Sequence, residues 1–177
     1  MKTYIILLRG VTPTGKNKVL MAPLRAALEK AGLQDARTYI QSGIIVASSD
    51  LSQFELEKVV HDVIKDHFGG DIVVLARTAS QFRDILNRNP FKKADMTKLY
   101  FTLLATRPDE RLVKAFLAPG YSPDQVKVIS DVVYVLTATQ YSDLKANNNF
   151  IERKLRVAAT TRVYNTVSRL VELSAEE

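Results

Sequence analysis

The stretch Arg9–Asn17 follows a short apolar run and reads Arg-Gly-Val-Thr-Pro-Thr-Gly-Lys-Asn. Arg9 and Lys16 supply fixed positive charge, Asn17 supplies an amide, and the two glycines let the backbone approach a ligand closely. A loop of this kind, placed where a strand ends, suits a phosphate or another anion. We therefore predict a ligand-binding site at this loop, with Arg9, Lys16 and Asn17 among its residues.

The same stretch partly matches the phosphate-binding P-loop. Gly10 to Lys16 fits the first seven positions of G-x-x-x-x-G-K. The motif also needs a Ser or Thr for Mg²⁺ at the eighth position and a helix that begins at the lysine. Asn17 stands at the eighth position, and Pro23 places the helix start several residues later. The pattern argues against nucleoside-triphosphate hydrolysis. It favours a looser anion-binding loop, with a solvated glycine-containing connection as the alternative.

A second group of polar residues falls on a predicted C-terminal helix opened by Thr160 or Thr161. They recur at i, i+3, i+4 and i+7 on one face: Arg162, Asn165, Thr166 and Arg169. An arginine and an asparagine near a helix N-terminus suit an anionic or amide-bearing ligand. A solvent-facing polar stripe is the alternative, because most amphipathic helices have one.

Several kinds of chemistry lack the residues that they need. The chain has no cysteine, which excludes disulfides, thiolate metal sites and cysteine nucleophiles. His61 and His67 are six residues apart on one predicted helix, whereas two imidazoles on one metal need a spacing of four. No Ser-His-acid arrangement or G-x-S-x-G elbow is apparent. We assign no metal site, and the cofactor is left unknown.

Composition and charge indicate an ordinary globular protein with a basic surplus. The 177 residues are 46% hydrophobic and 25% charged, with a net charge of +6. Residues 1–50 carry a net charge of +4 and residues 79–100 a net charge of +3. This surplus favours phosphates or nucleic acid as partners, with a solvated basic surface as the alternative. No signal peptide or membrane-spanning run is recognisable, so we expect a cytoplasmic location without a membrane partner.

The first half of the chain reads strand, helix, strand, strand, helix, strand. The predicted strands are 3–9, 36–41, 44–48 and 71–77, and the predicted helices are 21–31 and 52–68. A capping box at Ser52 and Glu55 marks the second helix start, and Gly69-Gly70 marks its end. This order is the split β-α-β pattern of a ferredoxin-like module.

The second half repeats the order approximately. Strands are predicted at 98–105, 125–129 and 132–137, with a helix between the first two and helices after the third. A basic connection, 89–97, separates the halves. We predict an α+β protein of two ferredoxin-like halves, 1–88 and 98–177, with mostly antiparallel sheets and helices packed on one face.

Three blocks of sequence also resemble one known family. They are Leu7–Gly10 and Gly15–Asn17 with Met21, Ala22 and Leu24; Arg37–Gly43; and Phe150–Leu155 with Ala159–Arg162 and Asn165–Val167. Together they resemble a bacterial family of domains of unknown function, the one numbered 1697. The resemblance implies a pair of ferredoxin-like modules and no established activity.

We therefore expect the chain to bind a phosphate-bearing small molecule or nucleic acid in a cleft near the first loop. The predicted ligand-binding residues come from all three blocks: Arg9, Lys16, Asn17, Arg37, Gln41, Arg162 and Asn165. One alternative is an enzyme acting on a small anionic metabolite, with Lys16, Tyr39 or His61 as proton carrier. Another is a structural or interaction module that forms homodimers through exposed sheet edges.

Overall fold

The computed structural model describes residues 1–11, 14–15, 17–39 and 43–175. The chain divides into two compact units, Met1–Phe82 with Leu173–Glu177, and Arg83–Glu172. This division rests on packing alone, so the predicted domain ranges 1–88 and 98–177 stay predictions.

The first half contains one four-stranded antiparallel sheet in the order β2-β3-β1-β4. Its elements, in chain order, are β1 (Lys2–Leu8), α1 (Met21–Lys30), β2 (Gln34–Tyr39), β3 (Ile44–Ser49), α2 (Gln53–Phe68), β4 (Val74–Thr78) and α3 (Ala79–Asn87). The predicted ferredoxin-like order is confirmed. Strand β4 begins three residues later than the predicted 71.

Strand β1 lies inside the sheet and is buried on both of its faces. Tyr4, Ile6 and Leu8 pack into the core that also contains the buried side chains of α1 and α2. Ile5 and Leu7 point to the opposite face and are also fully buried. A continuous apolar run is what a strand buried on both faces requires, because no position faces water. This burial fixes the place where β1 ends and the first loop begins.

Helix α2 shows how local sequence sets the helix ends. The hydroxyl of Ser52 accepts a hydrogen bond from the Glu55 amide, and the Glu55 carboxylate accepts one from the Ser52 amide, which completes the predicted capping box. The helix ends at Gly69, whose φ of 75° is left-handed. Among the described residues, no helix is both long and apolar enough to cross a membrane.

The second half has the same topology, with the sheet order β6-β7-β5-β8. Its elements are β5 (Leu99–Leu104), α4 (Glu110–Leu117), β6 (Gln125–Ile129), β7 (Val132–Leu136), α5 (Asn148–Leu155), β8 (Ala159–Val163) and α6 (Tyr164–Ala175). Each half is thus a split β-α-β module followed directly by one more helix, α3 or α6. The repeat predicted from the sequence is confirmed and is more complete than predicted.

The predicted helix start at Thr160 or Thr161 is wrong. Residues Ala159–Val163 form strand β8, which pairs with β5, and α6 begins only at Tyr164. Arg162 therefore lies in a strand opposite Phe101 and does not share a helical face with Asn165. The run Ala-Thr-Thr-Arg-Val is ambiguous in sequence, because threonine suits both strands and helix N-caps. Tertiary pairing with β5 decides in favour of the strand.

In both halves, a glutamate of the preceding helix accepts a hydrogen bond from a backbone amide of the fourth strand. In the first half, the Glu57 carboxylate of α2 accepts hydrogen bonds from the Ala76 amide at 2.9 Å and from the Gln53 side chain at 3.2 Å. In the second half, the Glu152 carboxylate of α5 accepts the Ala159 amide at 3.1 Å. The side chain of Asn148 donates to Glu152, also at 3.1 Å.

In both halves the amide side chain is the first residue of its helix and the glutamate lies four residues later. The fourth strand is the edge of each sheet, where one side of the backbone has no neighbouring strand. The helix glutamate satisfies a backbone donor there. We call this arrangement the edge clamp.

Candidate functional site

Three connections of the first half meet where β1 ends. They are the first loop (residues 9–20), the β2–β3 turn and the segment between α2 and β4. The Leu8 amide donates to the Gly43 carbonyl oxygen at 2.8 Å, and the Arg9 amide donates to the Val73 carbonyl oxygen at 3.0 Å. Backbone hydrogen bonds therefore join the end of β1 and the start of the first loop to Gly43 and to Val73.

Gly43 makes the first of these contacts possible. Its φ is 73°, in the left-handed region, and a Cβ built there would lie 3.0 Å from the Leu8 Cβ and 3.3 Å from the Val11 Cβ. Glycine alone meets both requirements, because it tolerates positive φ and adds no Cβ to the contact. The β2–β3 turn can therefore lie directly against the start of the first loop.

Asn17, in the later part of the first loop, lies close to two glycines of this region. Its side chain is half-buried, with Nδ2 4.0 Å from the ideal Cβ position of Gly10 and Oδ1 3.8 Å from that of Gly70. The amide thus lies beside the beginning of its own loop and beside the α2–β4 segment. Gly10 has a φ of 76°, which a glycine adopts without strain. Of the residues predicted from the loop sequence, the structure places Asn17 beside Gly10, which follows Arg9 in the chain.

A histidine with two carboxylate neighbours lies next to this end of the sheet. The Nε2 atom of His61 in α2 is 2.7 Å from the Asp71 Oδ1 atom in the α2–β4 segment, and its Nδ1 atom is 3.2 Å from the Asp62 Oδ1 atom. Hydrogen bonding to Asp71 and then to Asp62 raises the pKa of His61, and the same bond lowers the pKa of Asp71. Within the described ranges, no group of three His, Asp or Glu side chains is arranged to hold a metal ion.

Arg37 is placed by the alternation of strand β2. Ala36 points into the core shared with α1 and α2, so Arg37 points to the opposite face, where it is exposed. Strand register puts Arg37 opposite Val46, which in turn lies opposite Ile5. Arg37 therefore belongs to the sheet face away from the helices. Lys16 and Gln41, two further predicted site residues, lie outside the described residues.

Arg162 and Asn165 belong to the second unit. One guanidinium nitrogen of Arg162 donates to the Thr160 hydroxyl at 2.6 Å and to the Thr161 carbonyl oxygen at 3.0 Å. Burial lowers the pKa of the Arg162 guanidinium. Asn165 is exposed in the first turn of α6. A site shared by these two residues and the first loop stays a prediction.

One buried arginine escapes notice in the sequence. Arg77 in β4 is 4% exposed, lies opposite Ile5, and its guanidinium is 3.7 Å from the Glu57 carboxylate. Its counterpart is Arg162, which occupies the same register position opposite Phe101 of β5. Both donate to the carbonyl oxygen of the residue before them. Aligning the two half-sequences strand by strand would have revealed this pair. That alignment requires β8 to be recognised as a strand, because Arg162 lies in it.

Comparison with known proteins agrees with this description. The profile of a family described as "Protein of unknown function (DUF1697)" matches residues 1–134. The solved structure of the conserved bacterial protein SP0830 from Streptococcus pneumoniae is similar, with a TM-score of 0.77 and 21% sequence identity over 98% of each chain. At that identity the similarity shows the fold alone. A search of curated proteins gives no match.

Proposed function

Since the chain belongs to the DUF1697 family of proteins of unknown function, we propose its function from the site alone: it binds a phosphate-bearing anion at the first loop. The ligand is a small molecule or a nucleic acid, which share the phosphate chemistry. The observation that carries the proposal is the position of the Asn17 amide, which lies beside Gly10 and Gly70. An amide donor held in a fixed position lowers the entropic cost of binding a ligand.

Each predicted residue has a role in this proposal. Arg9, whose backbone is tied to Val73, offers a planar guanidinium that can bind two phosphate oxygens at once. Lys16 adds a second positive charge, and Asn17 adds an amide donor. Arg37 and Gln41 extend the site along β2 and the turn that follows it. We include Arg162 and Asn165 as further contacts from the second unit.

The local charge balance also supports an anion. Asp71 is the acidic residue of the α2–β4 segment, and its carboxylate is hydrogen-bonded to His61. When His61 is protonated, its charge offsets that of Asp71, and Lys58 is hydrogen-bonded to the second carboxylate neighbour, Asp62. Arg9 and Lys16 are cationic and favour an anionic ligand.

A thermal-shift series tests the proposal. The probes are inorganic phosphate, adenosine 5′-monophosphate (AMP) and a short RNA, each added to the wild-type chain and to Arg9→Gln and Lys16→Ala. A ligand present at 100 times its Kd stabilises the folded state by about 2.7 kcal/mol, so binding gives a measurable rise in Tm. We expect the rise with at least one probe and a smaller rise in both variants.

Lys30→Ala is the control, because Lys30 is an exposed lysine at the far end of α1 and should not alter the response. A ligand-induced rise that is as large in both Arg9→Gln and Lys16→Ala as in the wild-type chain would contradict the proposal. Asn165→Ala then tests the contribution of the second unit, because Asn165 is exposed and its loss should leave folding intact. Salt separates the two ligand sources, since binding of RNA should weaken steeply as salt rises.

A further inference from the structure

A groove lies in the second unit between the 89–94 segment and the paired strands β6 and β7. Gln125 and Leu136, directly opposite each other in the strand register, form its other side. Its volume is about 560 Å³ and it opens widely to solvent. That volume is within the range of small-molecule sites.

The groove is lined by apolar side chains and by positively charged side chains. Pro90, Phe91 and Leu136 give it apolar surface, and Lys92 and Lys93 on its rim are exposed. Lys127 follows Gln125 by two residues and therefore lies on the same sheet face. Its ammonium nitrogen is 5.4 Å from the centre of the Phe91 ring.

These lysines have no acidic partner in the part of the chain that the structure describes. None of Lys92, Lys93 and Lys127 forms an ion pair there. Two acidic residues close in sequence are engaged locally: Asp95 accepts from the Thr97 amide and hydroxyl, and Asp124 accepts from the Ala138 amide. Three ammonium groups that form no ion pair with a described residue therefore lie beside one groove, where they attract an anion and repel a cation.

Asn89 adds a buried polar group to the groove wall. It is 4% exposed, and its Oδ1 atom accepts the Phe91 amide at 2.9 Å. Its Nδ2 atom donates to the Met96 sulfur at 4.0 Å, a long contact to a weak acceptor. A stronger acceptor would stabilise this buried amide donor, since water has little access to it and cannot replace the hydrogen bond. The groove thus offers positive charge, apolar surface and one hydrogen-bond donor.

We propose that this groove binds a phosphomonoester with an apolar or aromatic body, of which a nucleotide unit is the simplest example. The phosphate contacts Lys92 and Lys93, because lysine ammonium groups bind phosphate as compact point charges. The body lies against Leu136 and the Pro90–Phe91 wall, and an acceptor on the body or the phosphate receives the Asn89 amide. The site is separate from the first loop and does not depend on it.

A titration of the ¹⁵N-labelled full chain with AMP tests this site by nuclear magnetic resonance. We expect the amide signals of residues 89–94 and Gln125 to shift in a saturable way. In the double variant Lys92→Gln/Lys93→Gln we expect the Kd for AMP to rise at least about tenfold, as the loss of two phosphate contacts implies. Lys30→Gln/Lys114→Gln removes two exposed lysines elsewhere and should leave the Kd unchanged.

Two simpler probes test the chemical class. Adenosine lacks the phosphate and inorganic phosphate lacks the body, so each should bind more weakly than AMP. Equal binding of either probe overturns the proposed class. An eight-nucleotide single strand distinguishes the source: binding that is tighter than that of AMP and weakens steeply with salt identifies nucleic acid, whereas binding no tighter than AMP identifies the free nucleotide.

The residues whose signals shift on addition of AMP distinguish binding at this groove from binding at the first loop. Shifts confined to residues 9–20, or AMP binding that Lys92→Gln/Lys93→Gln does not alter, overturn the groove proposal. Lys16→Ala should abolish binding at the first loop and leave the shifts at 89–94 unchanged. The two proposals can therefore fail independently.

Discussion

At the scale of single residues, His61 links the electrostatics of α2 to the α2–β4 segment beside the first loop. Its imidazole lies between Asp71 and Asp62, and hydrogen bonds to both raise its pKa. A raised pKa in the folded state means that the protonated form is the stabilised one. The contribution of His61 to the free energy of unfolding is fully present below its unfolded pKa of about 6.5. It is lost as pH rises through the folded pKa.

We therefore predict that His61→Gln removes a stabilisation that is present at mildly acidic pH and absent at alkaline pH. Urea unfolding of wild type and variant between pH 5 and pH 9 measures it as a difference in midpoint that shrinks as pH rises. His67→Gln on the same helix is the control, since the His67 ring contacts the Val63 carbonyl oxygen rather than Asp62 or Asp71. A constant difference across this range would contradict the prediction.

Gly43 sets a second prediction at this scale. Gly43→Ala forces an L-residue into positive φ, which costs about 1–2 kcal/mol, and places a Cβ 3.0 Å from Leu8, for which overpacking adds about 1–3 kcal/mol. Gly69→Ala is a matched control, because Gly69 has a φ of 75° with open space around it. Chemical denaturation should show Gly43→Ala to be the more destabilised variant. Equal losses would mean that the contact with Leu8 relaxes freely.

At the scale of elements, the edge clamp determines how the fourth strand of each half is held. Glu57→Ala leaves the buried Ala76 amide without its acceptor, and Glu152→Ala does the same to the Ala159 amide. An unsatisfied buried donor costs about 1–3 kcal/mol, so we expect a loss of that size from Glu152→Ala in urea unfolding. We expect a larger loss from Glu57→Ala, because this variant also removes the carboxylate 3.7 Å from the buried Arg77 guanidinium. Glu29→Ala, an exposed residue of α1, should change stability little. A loss no larger than that of Glu29→Ala would mean that water replaces the carboxylate.

The elements that sequence predicts well are those with strong local signals. The capping box of α2 and the continuous apolar runs of β1 and β7 identify their elements without tertiary information. Strand β8 could not be predicted in this way. Thr160 and Thr161 suit a helix start as well as a strand, and the pairing with β5 that decides the matter comes from residues about sixty positions earlier.

At the scale of the whole molecule, the candidate sites differ in how far sequence can reveal them. Gly10 and Asn17 lie in one short stretch, so their proximity in the first loop follows from local spacing. The groove joins residues 89–94 to Gln125 and Leu136, which the β6–β7 pairing brings together. Sequence shows the lysines of that segment as a basic connection. Only the fold shows that they flank a cavity.

The repeated topology extends to two pairs of residues of the same type. Arg77 and Arg162 occupy one register position, and Glu57 and Glu152 each accept a backbone amide of an edge strand, at register positions two residues apart. The halves show no apparent sequence identity, so this agreement reflects a common packing requirement at the edge of each sheet.

Because of this repeat, each half can act as a template for redesign of the other. Helix α2 ends at Gly69 and helix α5 ends at Arg156, both with left-handed backbones, although only the first has the residue that favours this conformation. Transplanting the glycine as Arg156→Gly should relieve a strain of about 1 kcal/mol and raise the Tm in calorimetry. A lowered Tm would show that the Arg156 side chain makes contacts worth more than the backbone strain.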